Sequence, residues 1–175
     1  MAAHACAARA PAASATRAPA LPDTARRLVA PRVGESLAGV ARVVEYAPRA
    51  PGPSEVAVRV CYAGINGGCE TFRARGEHWF APNANAGAEG FALGAEGSGE
   101  VVAVGEGIDA ETFAPGDSVA FVGGAFAEYT TVPAALCQRI AGDPTPEAAA
   151  LIISGTTAAV AVGATGGAVA VRTRA

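Results

Sequence analysis

Few side chains in this sequence combine a reactive chemical type with a spacing that supports a reaction. The sulfur and imidazole groups that could bind a metal or act as a nucleophile are Cys6, Cys61, Cys69, Cys137, His4 and His78. They form no C-x-x-C pair, and Cys61, Cys69 and His78 fit no zinc-ligand spacing. No His-Asp arrangement near Cys69 would activate its thiol. We therefore predict that the chain holds no metal, that Cys69 is a small, partly buried side chain, and that His78 is a loop residue.

Composition excludes further classes of chemistry. All 13 basic residues are arginine, so a Schiff-base or P-loop lysine mechanism is excluded. The formal net charge is -3 and no run of basic residues is present, which argues against nucleic acid as a partner. The cysteine density does not indicate a secreted disulfide framework, so a reduced intracellular compartment is expected.

The elements that would position a site begin with a strand that leads to Asn66. Residues 55–62 alternate, with Val56, Val58 and Val60 on one face and less apolar side chains on the other. This period-two pattern predicts a half-buried strand. It delivers the chain to Asn66, at a strand end where binding groups are often displayed. An asparagine at such a position either binds a ligand or simply makes a turn.

A second group of strands is predicted within residues 93–133. Short apolar runs at 101–104, 118–122 and 127–132 alternate with Gly, Asp and Pro, which is typical of antiparallel strands joined by tight turns. Residues 105–107 (Gly-Glu-Gly) could adopt positive φ, and residues 115–117 (Pro-Gly-Asp) predict a second turn. The glycines do not form the dinucleotide-binding motif G-x-G-x-x-G at a strand-to-helix turn, so we interpret them as turn and close-packing positions.

The flanking segments complete the predicted elements. Residues 27–48 suggest a strand pair, and residues 135–140 a further strand. A helix should begin after Thr145, with Thr145 as N-cap, Pro146 at the first helical position and Glu147 in the first turn.

Residues 94–107, with the pair Gly116-Asp117, resemble a run found in the medium-chain dehydrogenase/reductase superfamily, G-H-E-G-x-G-x-V…V-G-x-G-V…G-D-x-V. The resemblance implies a mainly β fold: a GroES-like antiparallel β-barrel with short helices and a C-terminal helical stub. Ala95 replaces the histidine and Asn66 the cysteine that bind the catalytic zinc in alcohol dehydrogenases. The chain therefore resembles the zinc-independent quinone oxidoreductase and enoyl reductase branch, and Glu96 is expected to be a hydrogen-bonded structural carboxylate.

The resemblance also divides the chain. Residues 147–151 and 154–158 are similar to the family's P-E-A-A-A-L…S-G-x-T-A helix, which leads into a nucleotide-binding domain. Too few residues follow for a βαβ unit of about 30 residues, so we expect a truncated chain. The expected divisions are residues 1–22, a disordered tail or transit peptide; 23–145, the barrel domain; and 146–175, a linker helix and the truncated start of the nucleotide-binding domain.

The activity implied by the resemblance is hydride transfer from NADPH to a quinone or an α,β-unsaturated carbonyl. It implies catalytic roles for Asn66 and Phe72, cofactor contacts from Asn66, Gly155 and Thr157, and a homodimer in the full-length family. The alternative is a catalytically inactive barrel module, since the phosphates of NADPH would have no helix N-terminus or glycine-rich loop to bind.

Location depends on the two ends of the chain. Residues 1–22 contain Arg9 and Arg17 and no acidic residue, so the protein is expected to be cytoplasmic, or organellar if they form a transit peptide. Residues 148–171 are uncharged and long enough to cross a bilayer. They are dominated by Ala, Gly and Thr, which insert weakly, so we do not expect a membrane anchor.

Overall fold

The structure, a computed structural model, describes residues 21–66, 68, 70, 71, 75 and 91–164. The predictions for Cys69, Phe72 and His78, and for residues 1–20 and 165–175, lie outside these residues and stay predictions.

The described part of the chain is mainly β, as predicted. Its strands are β1 (Ala25–Ala30), β2 (Arg42–Tyr46), β3 (Glu55–Gly64), β4 (Phe91–Ala92), β5 (Glu96–Val104), β6 (Ser118–Val122), β7 (Tyr129–Pro133) and β8 (Cys137–Arg139). Its helical elements are α1 (Leu37–Val40), a 3-10 turn (Ala134–Leu136) and the long helix α2 (Pro146–Ala164).

The strands form two antiparallel sheets. One has the order β2-β1-β4, and the other the order β7-β3-β5-β6-β8. They are joined where β1 runs beside the segment before β7: the N–H of Leu28 donates to the carbonyl of Phe126 at 2.7 Å, and the N–H of Glu128 donates to the carbonyl of Arg26 at 2.9 Å. This arrangement confirms the mainly β, GroES-like fold.

The core lies inside the five-stranded sheet. Apolar side chains from its strands and the adjoining loops are buried together: Val56, Val58, Val101, Phe113, Val119, Phe121, Ala125 and Val132. Ala57 is also buried, although the alternation predicts that it faces outward. Strand β3 is a central strand, with β5 and β7 hydrogen-bonded along its two edges.

The strand predicted at residues 135–140 is shorter than expected, because the 3-10 turn Ala134–Leu136 precedes β8. Of the two predicted turns, the one at residues 105–107 has no glycine with positive φ, whereas Gly116 in the other has φ 97°. Gly105 is instead required by close approach: a Cβ at this position would lie 1.9 Å from the carbonyl oxygen of Gly52.

Helix α2 begins where the sequence predicts. The hydroxyl of Thr145 accepts the N–H of Ala148 at 3.1 Å, which satisfies a free donor at the helix start. The buried hydroxyl of Ser98 on β5 donates to the carbonyl of Thr145 at 2.6 Å. The helix packs against β3, β5 and β6, and Ala149 is buried at the contact. These contacts fasten the start of α2 to the barrel.

Cysteine pairing differs from the prediction. Cys61, on β3, is disulfide-bonded. Composition rules that exclude a disulfide framework do not exclude a single bridge, because a bridge needs only two thiols at bonding distance. Cys137 is a free cysteine, and burial raises the pKa of its thiol to about 12.

Candidate functional site

Asn66 lies just beyond the end of β3, as the sequence predicts. It is half-buried, and its backbone carbonyl accepts the N–H of Glu70 at 3.2 Å. The preceding residue, Ile65, is 87% exposed. The chain therefore turns at Asn66, as one of the two interpretations requires, and the ligand-binding interpretation stays a prediction.

Glu70 fixes this turn to the barrel and was missed by the sequence analysis. The side chain is 1% exposed, and its Oε1 accepts the N–H of Gly94 at 3.1 Å. Gly94 has φ 93°, and a Cβ there would lie 2.3 Å from the backbone nitrogen of Phe126, so a side chain cannot be accommodated. The sequence feature that could have indicated Glu70 is an acidic residue one helical turn after Asn66, in a segment of mostly small residues.

Glu96 is the first residue of β5, and it lies opposite Gly64, the last residue of β3. Gly64 and Glu96 are register partners, and a Cβ built at Gly64 would lie 2.6 Å from Cγ and Oε1 of Glu96. The glutamate side chain therefore crosses over Gly64, two residues before Asn66. Glycine at position 64 is what leaves room for it.

Glu96 is hydrogen-bonded, as predicted, by the backbone of Ile153 on α2, but not at both of its oxygens. The residue is 5% exposed, and its Oε2 has no hydrogen-bond partner among the described residues. Burial raises the pKa of Glu96, and an interaction with the backbone of Ile153 on α2 offsets part of that rise. Local sequence could not reveal this, because the environment is built by β3 and α2.

The predicted cofactor residues lie on α2. Gly155 is half-buried and Thr157 is exposed. Ile153 and Thr157 are one turn apart and so share a helix face. The structure thus brings Asn66, Glu70 and Glu96 to one end of the barrel, with the α2 face of Ile153 beside them. Phe72 lies outside the described residues.

The described residues suit the nicotinamide end of NADPH better than its phosphates. An asparagine amide, a glycine and a threonine hydroxyl can hydrogen-bond an amide group. The start of α2, however, has Glu147 in its first turn and is already capped by Thr145. A negative charge there opposes a phosphate, so the start of α2 is not suited to bind one.

Other sites are set apart from this one. Among the described residues, no group of three or more His, Cys, Asp or Glu side chains could hold a metal ion. A cavity of about 600 Å³ lies beside β1, β2 and β7, and its lining includes Arg27 and Tyr46. The guanidinium of Arg27 stacks 4.4 Å from the ring centroid of Tyr46. Neither Asn66 nor Glu96 lines this cavity.

Comparison with known proteins agrees with the fold. The alcohol dehydrogenase GroES-like domain matches residues 52–142. The chain is similar to prostaglandin reductase-3 of Bos taurus, with 33% identity over 150 residues that cover 85% of this chain and 38% of the relative. It therefore spans about two fifths of the length of that relative.

Solved structures show the same partial coverage. A quinone oxidoreductase of Pseudomonas syringae pv. tomato matches with 32% identity and a TM-score of 0.64, over 81% of this chain and 41% of that one. A mycobacterial protein solved in complex with NADPH matches with 28% identity and a TM-score of 0.66, over 85% and 43%. The chain belongs to the alcohol dehydrogenase GroES-like domain family, within the medium-chain dehydrogenase/reductase superfamily of oxidoreductases.

Proposed function

We propose that this chain forms the barrel part of an NADPH-dependent, zinc-independent reductase that acts on a quinone or an α,β-unsaturated carbonyl. The observation that carries the proposal is the position of Asn66 at the end of β3, with Ala95 and Asn66 where the zinc enzymes have ligands. Relatives named as a quinone oxidoreductase and a prostaglandin reductase support this substrate class.

Asn66 would orient the reacting groups. Its side-chain amide can donate to a substrate carbonyl oxygen or pair with the carboxamide of the nicotinamide. Gly155 and Thr157, on α2, would line the nicotinamide side, and Phe72 would line the substrate side. Bound NADPH would supply the hydride, while these residues supply orientation and exclude water.

The competing function is a barrel module without activity of its own. It is favoured by the start of α2, which is capped by Thr145 and carries Glu147 where a phosphate would need positive charge. Binding of NADPH and of reduced nicotinamide mononucleotide to the purified chain, measured by calorimetry, separates the two. We expect both to bind with similar, weak affinity, because they share only the nicotinamide end. Binding of NADPH at least tenfold tighter would reveal a phosphate site and contradict this expectation.

A chimera tests the activity. The 175-residue chain would replace the matching barrel part of the Pseudomonas syringae quinone oxidoreductase, and NADPH oxidation would be followed with a small quinone and a small enone. We expect turnover with at least one of them, and we expect Asn66→Ala to lower kcat/KM about 100-fold through lost orientation.

The matched control is Gln138→Ala, which removes an exposed amide side chain on β8, away from the site. It should leave kcat/KM unchanged. A folded chimera that binds NADPH but reduces neither substrate would contradict the proposed reaction. Equal losses from Asn66→Ala and Gln138→Ala would contradict the role of Asn66.

A further inference from the structure

Glu96 contacts both parts of the candidate site. Its side chain crosses Gly64, which leads directly to Asn66, and its carboxylate interacts with the backbone of Ile153 on α2. Gly155 and Thr157 follow Ile153 within about one turn of the same helix. A change at Glu96 is therefore transmitted both to the barrel side of the site and to its helix side.

The carboxyl group of Glu96 is buried, and among the described residues no cation acts on it. Strand β6 (Ser118–Val122) contains no titratable residue, and α2 contains no basic residue and one acid, Glu147. On β3, Arg59 is paired with Glu100 at 2.9 Å. The remaining ionisable side chains on or beside β3 are Glu55, Tyr62 and Glu70, of which Glu55 is paired with Arg49.

A carboxylate in this position would be compensated only in part, by the hydrogen bond from the backbone of Ile153. Glu96 is 5% exposed, and its Oε2 has no partner among the described residues. An isolated buried carboxylate is far less stable than its neutral acid, so the buried state favours the protonated form. Water reaching the group would stabilise the ionised form, and movement of α2 away from β5 is one way to admit it, because α2 packs against β5 and hydrogen-bonds the carboxylate.

We propose that Glu96, in its protonated form, positions α2 against the strand end that carries Asn66, and that loss of this proton releases the helix. Glu96 is thus a positioning residue, and it acts through α2 rather than on the substrate. The connection to catalysis rests on the function proposed above, since Gly155 and Thr157 matter for a cofactor only if that function holds. The proposed coupling between protonation of Glu96 and the position of α2 does not depend on that function.

The sign of the effect follows from proton linkage. The closed state holds the proton more tightly than the open state, in which Glu96 has its ordinary pKa of 4.5. Closure is therefore strongest below pH 4.5 and weakens as the pH rises towards the raised pKa of the closed state. Within that window the opening equilibrium should rise about tenfold per pH unit.

Amide hydrogen exchange of the purified full chain tests this without cofactor or substrate. The exchange of α2 amides, corrected for the intrinsic pH dependence, would be measured at a series of pH values for the native chain and for Glu96→Gln. We expect the native helix to lose about tenfold protection per pH unit within the window, and we expect Glu96→Gln to show constant protection.

Glu100→Gln is the matched control, because it changes a carboxylate on the same strand that is paired with Arg59. It should keep the native pH dependence. If Glu96→Gln does not fold, Glu96→Met provides a second uncharged side chain of similar length. A pH dependence unchanged by either substitution, or none in the native chain, would overturn the proposal. Inactivity of the chimera would not, so failure of the proposed function is distinguishable.

Discussion

Glu55 fixes the turn that leads into β3. Its carboxylate accepts hydrogen bonds from both terminal nitrogens of Arg49, at 2.6 and 2.7 Å, and from the N–H of Gly52 at 2.8 Å. The hydrogen bonds from Arg49 and Gly52 hold the pKa of Glu55 down at about 2. A single side chain therefore joins a loop to the first residue of the central strand.

We expect Glu55→Gln to lower the free energy of unfolding at pH 7 by about 1 kcal/mol, a modest value because Arg49 is largely exposed. The contribution of a depressed carboxyl pKa is full above the ordinary value of 4.5 and is lost as the pH falls towards 2. Urea unfolding of both proteins at several pH values should show the gap closing over this range. A gap that is independent of pH would contradict the assignment.

Gly99 is required by the close approach of β3 and β5. A Cβ at this position would lie 2.2 Å from the carbonyl oxygen of Arg59 and 2.8 Å from Val58 Cγ1. Gly99→Ala should therefore destabilise the protein by about 3 kcal/mol, because the strands must separate. Gly163→Ala is the control: no atom lies within 4 Å of its Cβ position, so the variant should gain about 0.5–1 kcal/mol of helix stability. Thermal unfolding of both variants tests the pair.

At the scale of elements, the contact between β5 and α2 depends on few polar groups. The hydroxyl of Ser98 is buried and donates to the carbonyl of Thr145, and the Thr145 hydroxyl caps the helix. Ser98→Ala should cost about 1 kcal/mol by removing the hydroxyl hydrogen bond, after which the Thr145 carbonyl keeps the N–H of Ala149 at 3.3 Å as its donor. Thr145→Ala should cost about 1 kcal/mol by removing the cap.

Both effects should appear first in α2. Hydrogen exchange at Ala148 and Ala149 should accelerate in the two variants, while the core amides of β5 change little. Thr131→Ala is the control, because it also removes a hydroxyl that donates to a carbonyl, that of Arg49, but at β7. Faster exchange of α2 amides in Thr131→Ala would show that the measurement is not specific to the helix.

Local patterns predicted the elements that depend on neighbouring residues. The Thr145 cap and β3 were predicted because capping chemistry and period-two alternation act over a few residues. The 3-10 turn at residues 134–136 was not predicted, because an apolar run is compatible with both a strand and a 3-10 turn. The roles of Glu70 and Glu96 were missed because their environments come from residues distant in sequence, Gly94 in one case and α2 in the other.

At the scale of the whole molecule, α2 is largely uncovered by the rest of the described chain. Among its larger apolar side chains, Leu151 is 60%, Val160 65% and Val162 44% exposed. By length and composition alone, Pro146–Gly163 could also cross a membrane, and it is hardly buried. Its composition of small residues still favours the expectation that it does not insert.

Exposed apolar surface of this kind favours self-association in water. We expect the purified chain to associate as its concentration rises, and we expect Leu151→Ser combined with Val160→Ser to reduce this association. Sedimentation velocity over a range of concentrations would measure it. Val43→Ser removes an equally exposed apolar side chain from β2 and should leave the association unchanged. An equal reduction in both variants would show that α2 is not the associating surface.

The position of β3 in its sheet has a consequence for synthesis of the protein. This Val-rich strand of 10 residues pairs with β5 and β7, and its first residue, Glu55, lies opposite Pro133. As the chain leaves the ribosome, β3 emerges before both of its partners. Its backbone N–H and carbonyl groups stay unpaired until those strands follow, a condition that invites pairing with other nascent chains. Chaperone binding during translation should therefore concentrate between the emergence of β3 and that of β7.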